Sequence, residues 1–396
     1  MREPDVGAAR RAGDEIGELV RHLLMMAACV VTVAISMVAG APPAVADPSS
    51  PLEQLQAELD QLVRTLGVPG AQLVVGGAGL NAELDSGAGN LVTGGAFPDN
   101  AQVRIASNTK TFVATVLLQL AAEQRVQLDA PVAHYLPGVV TGPGGDGNLI
   151  TVRDLLQHTS GIPDYLTQLR LSSVAELQTP RAPAELIRLG LDQPAEFAPG
   201  SSTGYSNTGF LLAGELIQRL TGQPVGLEVT RRIILPLGLR DTYWPLFPLE
   251  NIIRQPHPQA YQEFDGVLVD ITDIDPGWGL SDGAMVSTGA DLNRFFMALL
   301  SGELLPPAQL ADMQRTVESG DPFRDDDFGL GLFRRVNACG LESWSHGGAM
   351  TGFVVLNAAT ADRAVTLSMN RFPDPVTTFL HRAAMNNVVD AALCAG

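Results

Sequence analysis

The segment Arg104-Ile105-Ala106-Ser107-Asn108-Thr109-Lys110 constrains this chain more than any other, because one of its residues is a lysine. Of the 25 lysines and arginines in 396 residues, Lys110 is the only lysine. Arginine serves for surface charge but keeps its proton in a protein, whereas a desolvated lysine can become a neutral amine that accepts one. A position that stays lysine in an arginine background points to a need for that property. The stretch that follows, Thr111 to Glu123 (TFVATVLLQLAAE), reads as a largely apolar, buried helix. Ser107, three residues before Lys110, then shares a helical face with it. Both sit at a helix N-terminus, whose partial positive charge favours an unprotonated amine and a developing alkoxide. The competing reading is an N-cap serine and a solvated first-turn lysine, and a Ser-x-x-Lys match arises about once by chance in a chain of this size. The single lysine favours a nucleophile beside its base.

The length suits two subdomains sharing a cleft, and 45% hydrophobic content supplies a sizeable core. A net charge of −18 without a polybasic run makes nucleic acid an improbable partner. Near the N-terminus, Arg10, Arg11 and Arg21 precede an apolar run from Leu23 to Ala41 and the site Ala44-Val45-Ala46. This pattern predicts a secretory signal peptide over residues 1–46, hence a secreted, cell-envelope location with no stable membrane insertion after cleavage. The alternatives are an uncleaved anchor and a lipoprotein box at Cys29, which comes too early in the run for the second. Cleavage leaves Cys339 and Cys394, an even number in an oxidising compartment, either bridged or as two buried thiols. No Cys/His cluster has zinc spacing, so no metal is indicated.

Along the chain, Ser50-x-x-Glu53 opens a helix over residues 49–66 with Leu52, Leu55, Leu59, Leu62 and Leu66 on one stripe, which should pack on a sheet. Strands are expected at Ala71 to Val75, weakly between Leu80 and Val92, and at Val103 to Ile105. Residues 111–325 are mostly helical in pattern. Strands return at Phe328 to Val336, Glu342 to Met350, Phe353 to Ala359 and Ala364 to Asn370, with a turn at Thr360-Ala361-Asp362. A last helix runs from about Pro375 to Leu393. The predicted architecture is α/β: a sheet domain from 47–110 and 326–396, with a mostly helical domain, 111–325, inserted in it.

Two further segments carry polar chemistry. Tyr205-Ser206-Asn207, in a Gly-rich loop before an apolar helix from Thr208 to Leu220, offers a phenol that relays protons and an amide that donates and accepts; alone it reads equally as a helix entry with a capping asparagine. Trp344-Ser345-His346-Gly347-Gly348-Ala349 places paired glycines in a strand, which suits a ligand backbone lying alongside. His158 and Ser160 read as turn-ordering residues, and His134, His257 and His381 have no motif around them.

Taken in order, Ser107-x-x-Lys110, Tyr205-x-Asn207 and His346-Gly347-Gly348 resemble the three motifs of the penicillin-recognising serine hydrolases, the serine β-lactamases and penicillin-binding proteins. Ile150 to Tyr165, Phe197 to Gly222, Leu235 to Thr242 and Met285 to Leu304 extend the likeness over about residues 60–396. It is strongest to secreted actinomycete D-alanyl-D-alanine carboxypeptidases, including their cysteine pair. The resemblance implies a β-lactamase/transpeptidase-like fold, an antiparallel sheet flanked by helices with a cleft beside a helical domain, and a disulfide between Cys339 and Cys394. It implies that Ser107 forms an acyl-enzyme and that Lys110 and Tyr205 share the proton traffic. Asn207 would hold the substrate amide, His346 would replace the usual strand lysine, and the N–H groups of Ser107 and Ala349 would bind the oxyanion. Trp278 matches an aromatic residue lining the family's cleft. No cofactor is implied.

The departures concern the substrate. Those carboxypeptidases read His-Thr-Gly-Thr where this chain has His346-Gly347-Gly348-Ala349, so two carboxylate-binding threonines are missing. An arginine that also binds the carboxylate is replaced by Phe333, with Arg334 and Arg335 alongside, of which at most one faces the cleft. Phe333 and Trp278 suit a less polar substrate. The first reading is a D-alanyl-D-alanine carboxypeptidase type of serine hydrolase, acting on a small peptide such as a peptidoglycan stem peptide. The alternatives are an esterase, amidase or β-lactamase with the same site, and a catalytically inert penicillin-binding or sensor module.

Overall fold

In the computed structural model, which describes residues 50–77, 79–246, 250–273, 280–319, 326–372 and 378–395, helix α1 (Pro51–Leu66) starts on the expected capping box. Glu53 N donates to Ser50 Oγ and Ser50 N donates to Glu53 Oε2 at 2.7 Å. Leu55, Leu59 and Leu62 are buried, but Leu52 is 38% exposed, because the sheet and the C-terminal helix meet the leucine stripe only from its second turn. The expected signal peptide, residues 1–46, and Trp278 lie outside the described residues.

Strands β1 (Gly70–Gly77), β2 (Ala82–Gly87) and β3 (Val103–Arg104) lead to helix α2 (Thr109–Ala122). Helix α3 (Asn207–Thr221), the hairpin β4 (Tyr261–Phe264) and β5 (Val267–Asp270), β6 (Val286–Ser287) and helix α4 (Gly289–Leu300) follow. The chain ends with β7 (Asp327–Phe328), β8 (Phe333–Val336), β9 (Glu342–Ser345), β10 (Gly348–Met350), β11 (Phe353–Ala359), β12 (Arg363–Met369) and helix α5 (Thr378–Cys394).

The main sheet is antiparallel, in the order β2-β1-β12-β11-β9-β8-β7, with β10 on β11. β1 lies between its neighbour β2 and the last strand, β12, in a register from Ala71 opposite Met369 to Gly77 opposite Arg363. The two ends of the chain thus build one sheet, and everything from α2 to α4 is inserted between them. Leu59 of α1, Leu73, Leu367 and Val389 of α5 fill the core on one face. On the other face α4 is bolted down by Asn293, which donates to Val74 O at 3.0 Å and accepts from Thr366 Oγ1 at 2.7 Å. Because helices cover both faces, β12 is buried along nearly its whole length.

Three expected strands differ. β3 pairs with β6 rather than joining the main sheet. The strand expected from Phe328 to Val336 is a hairpin of β7 and β8, turned through Gly331 at φ 72°. The one expected from Glu342 to Met350 breaks at His346-Gly347 into β9 and β10. Cys339 and Cys394 are bonded to each other, tying the β8–β9 turn to the end of α5. Among the described residues no helix is long and apolar enough to cross a membrane.

Candidate active site

Ser107 sits in the single 3-10 turn Ala106–Asn108 between β3 and α2. Ala106 has φ 45°, a left-handed conformation that a non-glycine residue adopts at a cost, so the turn that presents the serine is held against its local preference. The hold comes from asparagines. Asn108 Nδ2 donates to Ile105 O at 3.0 Å and to Val355 O at 3.2 Å. Asn357 Nδ2 donates to Asn108 Oδ1 and to His346 O, and Asn357 Oδ1 accepts from His346 N at 3.0 Å. Asn357 on β11 therefore fixes the serine turn and the His346 segment to each other.

Lys110, in the first turn of α2, is fully buried. Its Nζ lies 2.9 Å from Ser107 Oγ, 2.7 Å from Asn207 Oδ1 and 2.6 Å from Asp282 O. The Asn207 amide is oriented by Asp164 Oδ2, which accepts from Asn207 Nδ2 at 2.7 Å, so an oxygen faces the lysine. Two fixed acceptors thus take two N–H bonds. In a neutral amine the lone pair is left for the Ser107 hydroxyl proton; in an ammonium the third N–H points there instead. Asn207 is a tether for the lysine as well as part of the cleft wall.

Tyr205 precedes α3, whose N-cap is Ser206 rather than Asn207. Its ring centroid is 5.1 Å from Lys110 Nζ, and it stacks on His158 at 4.3 Å. His158, itself at φ 58°, accepts from Ser206 N through Nδ1 at 3.1 Å, so it orders the turn, as expected, and also supports the tyrosine.

His346 is buried, with Nδ1 2.7 Å from Gly347 O and its ring 4.5 Å from that of Phe333. The two glycines after it have different causes. A Cβ on Gly348 would lie 2.1 Å from Ile105 O, so it is the protein's own serine turn, not a ligand, that requires this glycine. Nothing lies closer than 4.0 Å to a Cβ on Gly347, which borders the open cleft. Ala349 is exposed on β10, whose pairing is with β11 alone among the described strands.

The cleft holds about 300 Å³ and reaches from Ser107, Tyr205 and Asn207 past Phe333 to Met385 and His381 of α5, so His381 belongs to its far wall. Arg335 is on the cleft side and Arg334 is not, as strand alternation requires. Arg335 makes a bidentate pair with buried Asp390, while Arg334 pairs with Asp327 and Glu342.

Three acidic groups behind the lysine had no signal in the sequence. Burial pushes the Asp282 carboxyl up to about 6, against the lowering effect of Lys110 and of a hydrogen bond from Tyr165 Oη at 2.9 Å. Burial also raises the Asp164 carboxyl above its ordinary range, and burial, with the Asp282 charge, raises the Tyr165 phenol. A motif reports the reacting groups; these residues are defined only by packing around them. No group of three or more His, Cys, Asp or Glu among the described residues is arranged to hold a metal ion.

A serine hydroxyl against a buried lysine amine, at the edge of an antiparallel sheet flanked by helices, is the arrangement of a serine hydrolase. The Beta-lactamase family profile matches residues 55–389, and the chain belongs to that family. It is similar to the esterase EstB of Burkholderia gladioli, 28% identical over 355 residues that cover 82% of this chain and 90% of the esterase. Among solved structures, a D-stereospecific amidohydrolase from Streptomyces sp. matches with a TM-score of 0.74 at 34% identity, covering 82% of this chain and 97% of that one. The D-amino acid amidase of Ochrobactrum anthropi SV3, complexed with L-phenylalanine, matches with a TM-score of 0.76 at 27% identity, over 88% of this chain and 98% of the amidase.

Proposed function

We propose that this serine hydrolase cleaves amides or esters of small apolar acyl groups, D-aminoacyl amides among them, through an ester on Ser107. Ser107 Oγ attacks the carbonyl carbon while its proton passes to the Lys110 lone pair. The oxyanion lies between the N–H groups of Ser107 and Ala349, each such donor being worth about 3 kcal/mol in the transition state. Lys110 hands that proton on through Tyr205 to the departing amine or alcohol as its bond to the carbonyl carbon breaks, which leaves both side chains as they began. Water then attacks the ester, giving its proton back along the same route and restoring Ser107. Asn207 keeps the lysine aimed, and His346 with Gly347 lines the opposite wall.

The observation that carries the choice of substrate is the engagement of Arg335 with Asp390. Capture of a terminal carboxylate needs a charge-assisted partner worth about 1.5–3 kcal/mol, and the two arginines that line the cleft, Arg335 and Arg382, already hold the carboxylates of Asp390 and Asp326. Phe333, where the carboxypeptidases have arginine, and Gly347 and Ala349, where they have threonines, add no replacement. Similarity to an esterase and to two amide hydrolases supports the same reading over a carboxypeptidase. The leader expected over residues 1–46 supports export.

The test compares kcat/KM for D-phenylalanine amide, L-phenylalanine amide, a p-nitrophenyl ester and a peptide ending in D-alanyl-D-alanine. The amide or ester should exceed the peptide by roughly ten- to a hundredfold, the value of the missing carboxylate contact. Ser107→Ala and Lys110→Arg should abolish turnover. Preference for the peptide would overturn the substrate assignment, and unchanged turnover by Ser107→Ala would overturn the mechanism.

A further inference from the structure

Acyl transfer by Ser107, Lys110 and Tyr205 makes no use of the Asp282 carboxyl group, yet that group is buried directly behind the lysine. Asp282 is 4% exposed. Its backbone oxygen takes one N–H of Lys110 at 2.6 Å. Its Oδ2 accepts from Tyr165 Oη at 2.9 Å, and its Oδ1 has no hydrogen-bond partner among the described residues. A carboxylate in such a place is a burden on folding. An uncharged small residue would present the same backbone oxygen to the lysine, so the backbone contact does not account for the acid.

We propose that Asp282 is a positioning residue for acylation: its carbonyl aims the Lys110 amine, and its carboxylate stabilises the ammonium that Lys110 becomes on taking the Ser107 proton. The inference rests on Lys110 being the base. The proton moves from Ser107 Oγ to Lys110 Nζ and Asp282 stays ionised throughout, so it supplies charge and accepts nothing. A low-polarity surrounding gives that charge its leverage. The titratable groups acting on it are Lys110 from α2 and Asp164 and Tyr165 from the 3-10 turn Tyr165–Gln168 and its N-cap, with Tyr205, from the loop before α3, acting on Tyr165. Asp164 is the like charge among them, and it is held by Asn207 Nδ2 and Leu166 N.

Only the ionised acid can act in this way, so kcat/KM for a non-titrating ester should fall on the acid side with an apparent pKa raised above the ordinary carboxylate range, as burial of the carboxyl requires. Tyr165→Phe removes the hydrogen bond that holds the carboxyl down and should move this limb to higher pH. Asp282→Asn keeps the shape and the backbone carbonyl but removes the charge. It should remove the carboxyl's part of the limb, leaving that of Lys110, and lower kcat roughly tenfold or more, with KM nearly unchanged. The experiment is the pH profile of ester hydrolysis for wild type, Asp282→Asn, Tyr165→Phe and Lys110→Arg. Wild-type profiles in both Asp282→Asn and Tyr165→Phe, with Lys110→Arg inactive, overturn this inference alone. Should Asp282→Asn not fold, an unmoved limb in Tyr165→Phe overturns it. Activity in Lys110→Arg overturns both this inference and the mechanism on which it rests.

Discussion

Gly348→Ala should inactivate the protein through one backbone contact. The added Cβ would stand 2.1 Å from Ile105 O and 2.8 Å from Asn108 Nδ2. Non-bonded carbon and oxygen need more than about 3 Å, so the serine turn and β10 must separate by roughly 1 Å. The asparagine lattice of Asn108 and Asn357 resists that separation, and the strain should cost about 1–3 kcal/mol of stability. The same movement carries the N–H of Ser107 away from that of Ala349, the two proposed oxyanion donors, and a displacement of about 1 Å in a reacting geometry costs on the order of 100-fold in rate. Gly347→Ala is the control, because nothing lies within 4.0 Å of its Cβ except Leu356 Cδ1 at that distance. The assay is kcat for an ester substrate beside urea unfolding. Gly348→Ala should lose about 100-fold in kcat, while Gly347→Ala keeps wild-type stability. A Gly348→Ala protein within threefold of wild-type kcat would refute the claim that this glycine sets the spacing of the oxyanion donors.

Two further predictions concern stability. The bond between Cys339 and Cys394, 55 residues apart, restricts the unfolded chain. Replacing both by serine should lower the unfolding free energy by about 4 kcal/mol in urea titrations, and a loss under 1 kcal/mol would contradict this loop-entropy account. Asp282 has its carboxyl raised in the folded state from 3.8 to about 6. Its contribution is therefore fully present below pH 3.8 and lost as pH rises through 6, by about 3 kcal/mol in all. Subtracting the stability of Asp282→Asn from that of wild type should give a difference that falls between pH 4 and 6 and is flat above, whereas a constant difference would show that the carboxyl is not perturbed.

The parts legible in the sequence are those that chemistry or periodicity marks locally. The lone lysine marks the Ser107 turn, the capping box marks α1, and short apolar runs between turn signals mark β11 and β12. What was not legible depends on contacts distant in the chain. Nothing in Val103-Arg104 says that these residues pair with Val286-Ser287 instead of the main sheet. The break at His346-Gly347 follows from Asn357 taking the backbone of His346. Gly348 could be read as space for a ligand because the sequence does not reveal that Ile105 O fills it. The side of β8 that Arg335 occupies follows from alternation, but its commitment to Asp390 depends on where α5 lies.

The oxygens around Lys110 come from Ser107, Asn207 and Asp282, in three separate parts of the chain. A lysine side chain has four rotatable bonds and loses up to about 2 kcal/mol of rotamer entropy when fixed, so one acceptor would not hold it. Two acceptors in fixed directions, Asn207 Oδ1 and Asp282 O, do, and the direction left over points at the serine. The acids behind those acceptors, Asp164 on the Asn207 amide and Asp282 on its own carbonyl, make the arrangement costly to fold but specific in charge. In a chain whose other basic residues are all arginine, these oxygens explain the exception. They suit a flexible amine that can lose a proton, and a planar guanidinium would neither fit between them nor give up its proton to become the base that the proposed acyl transfer requires.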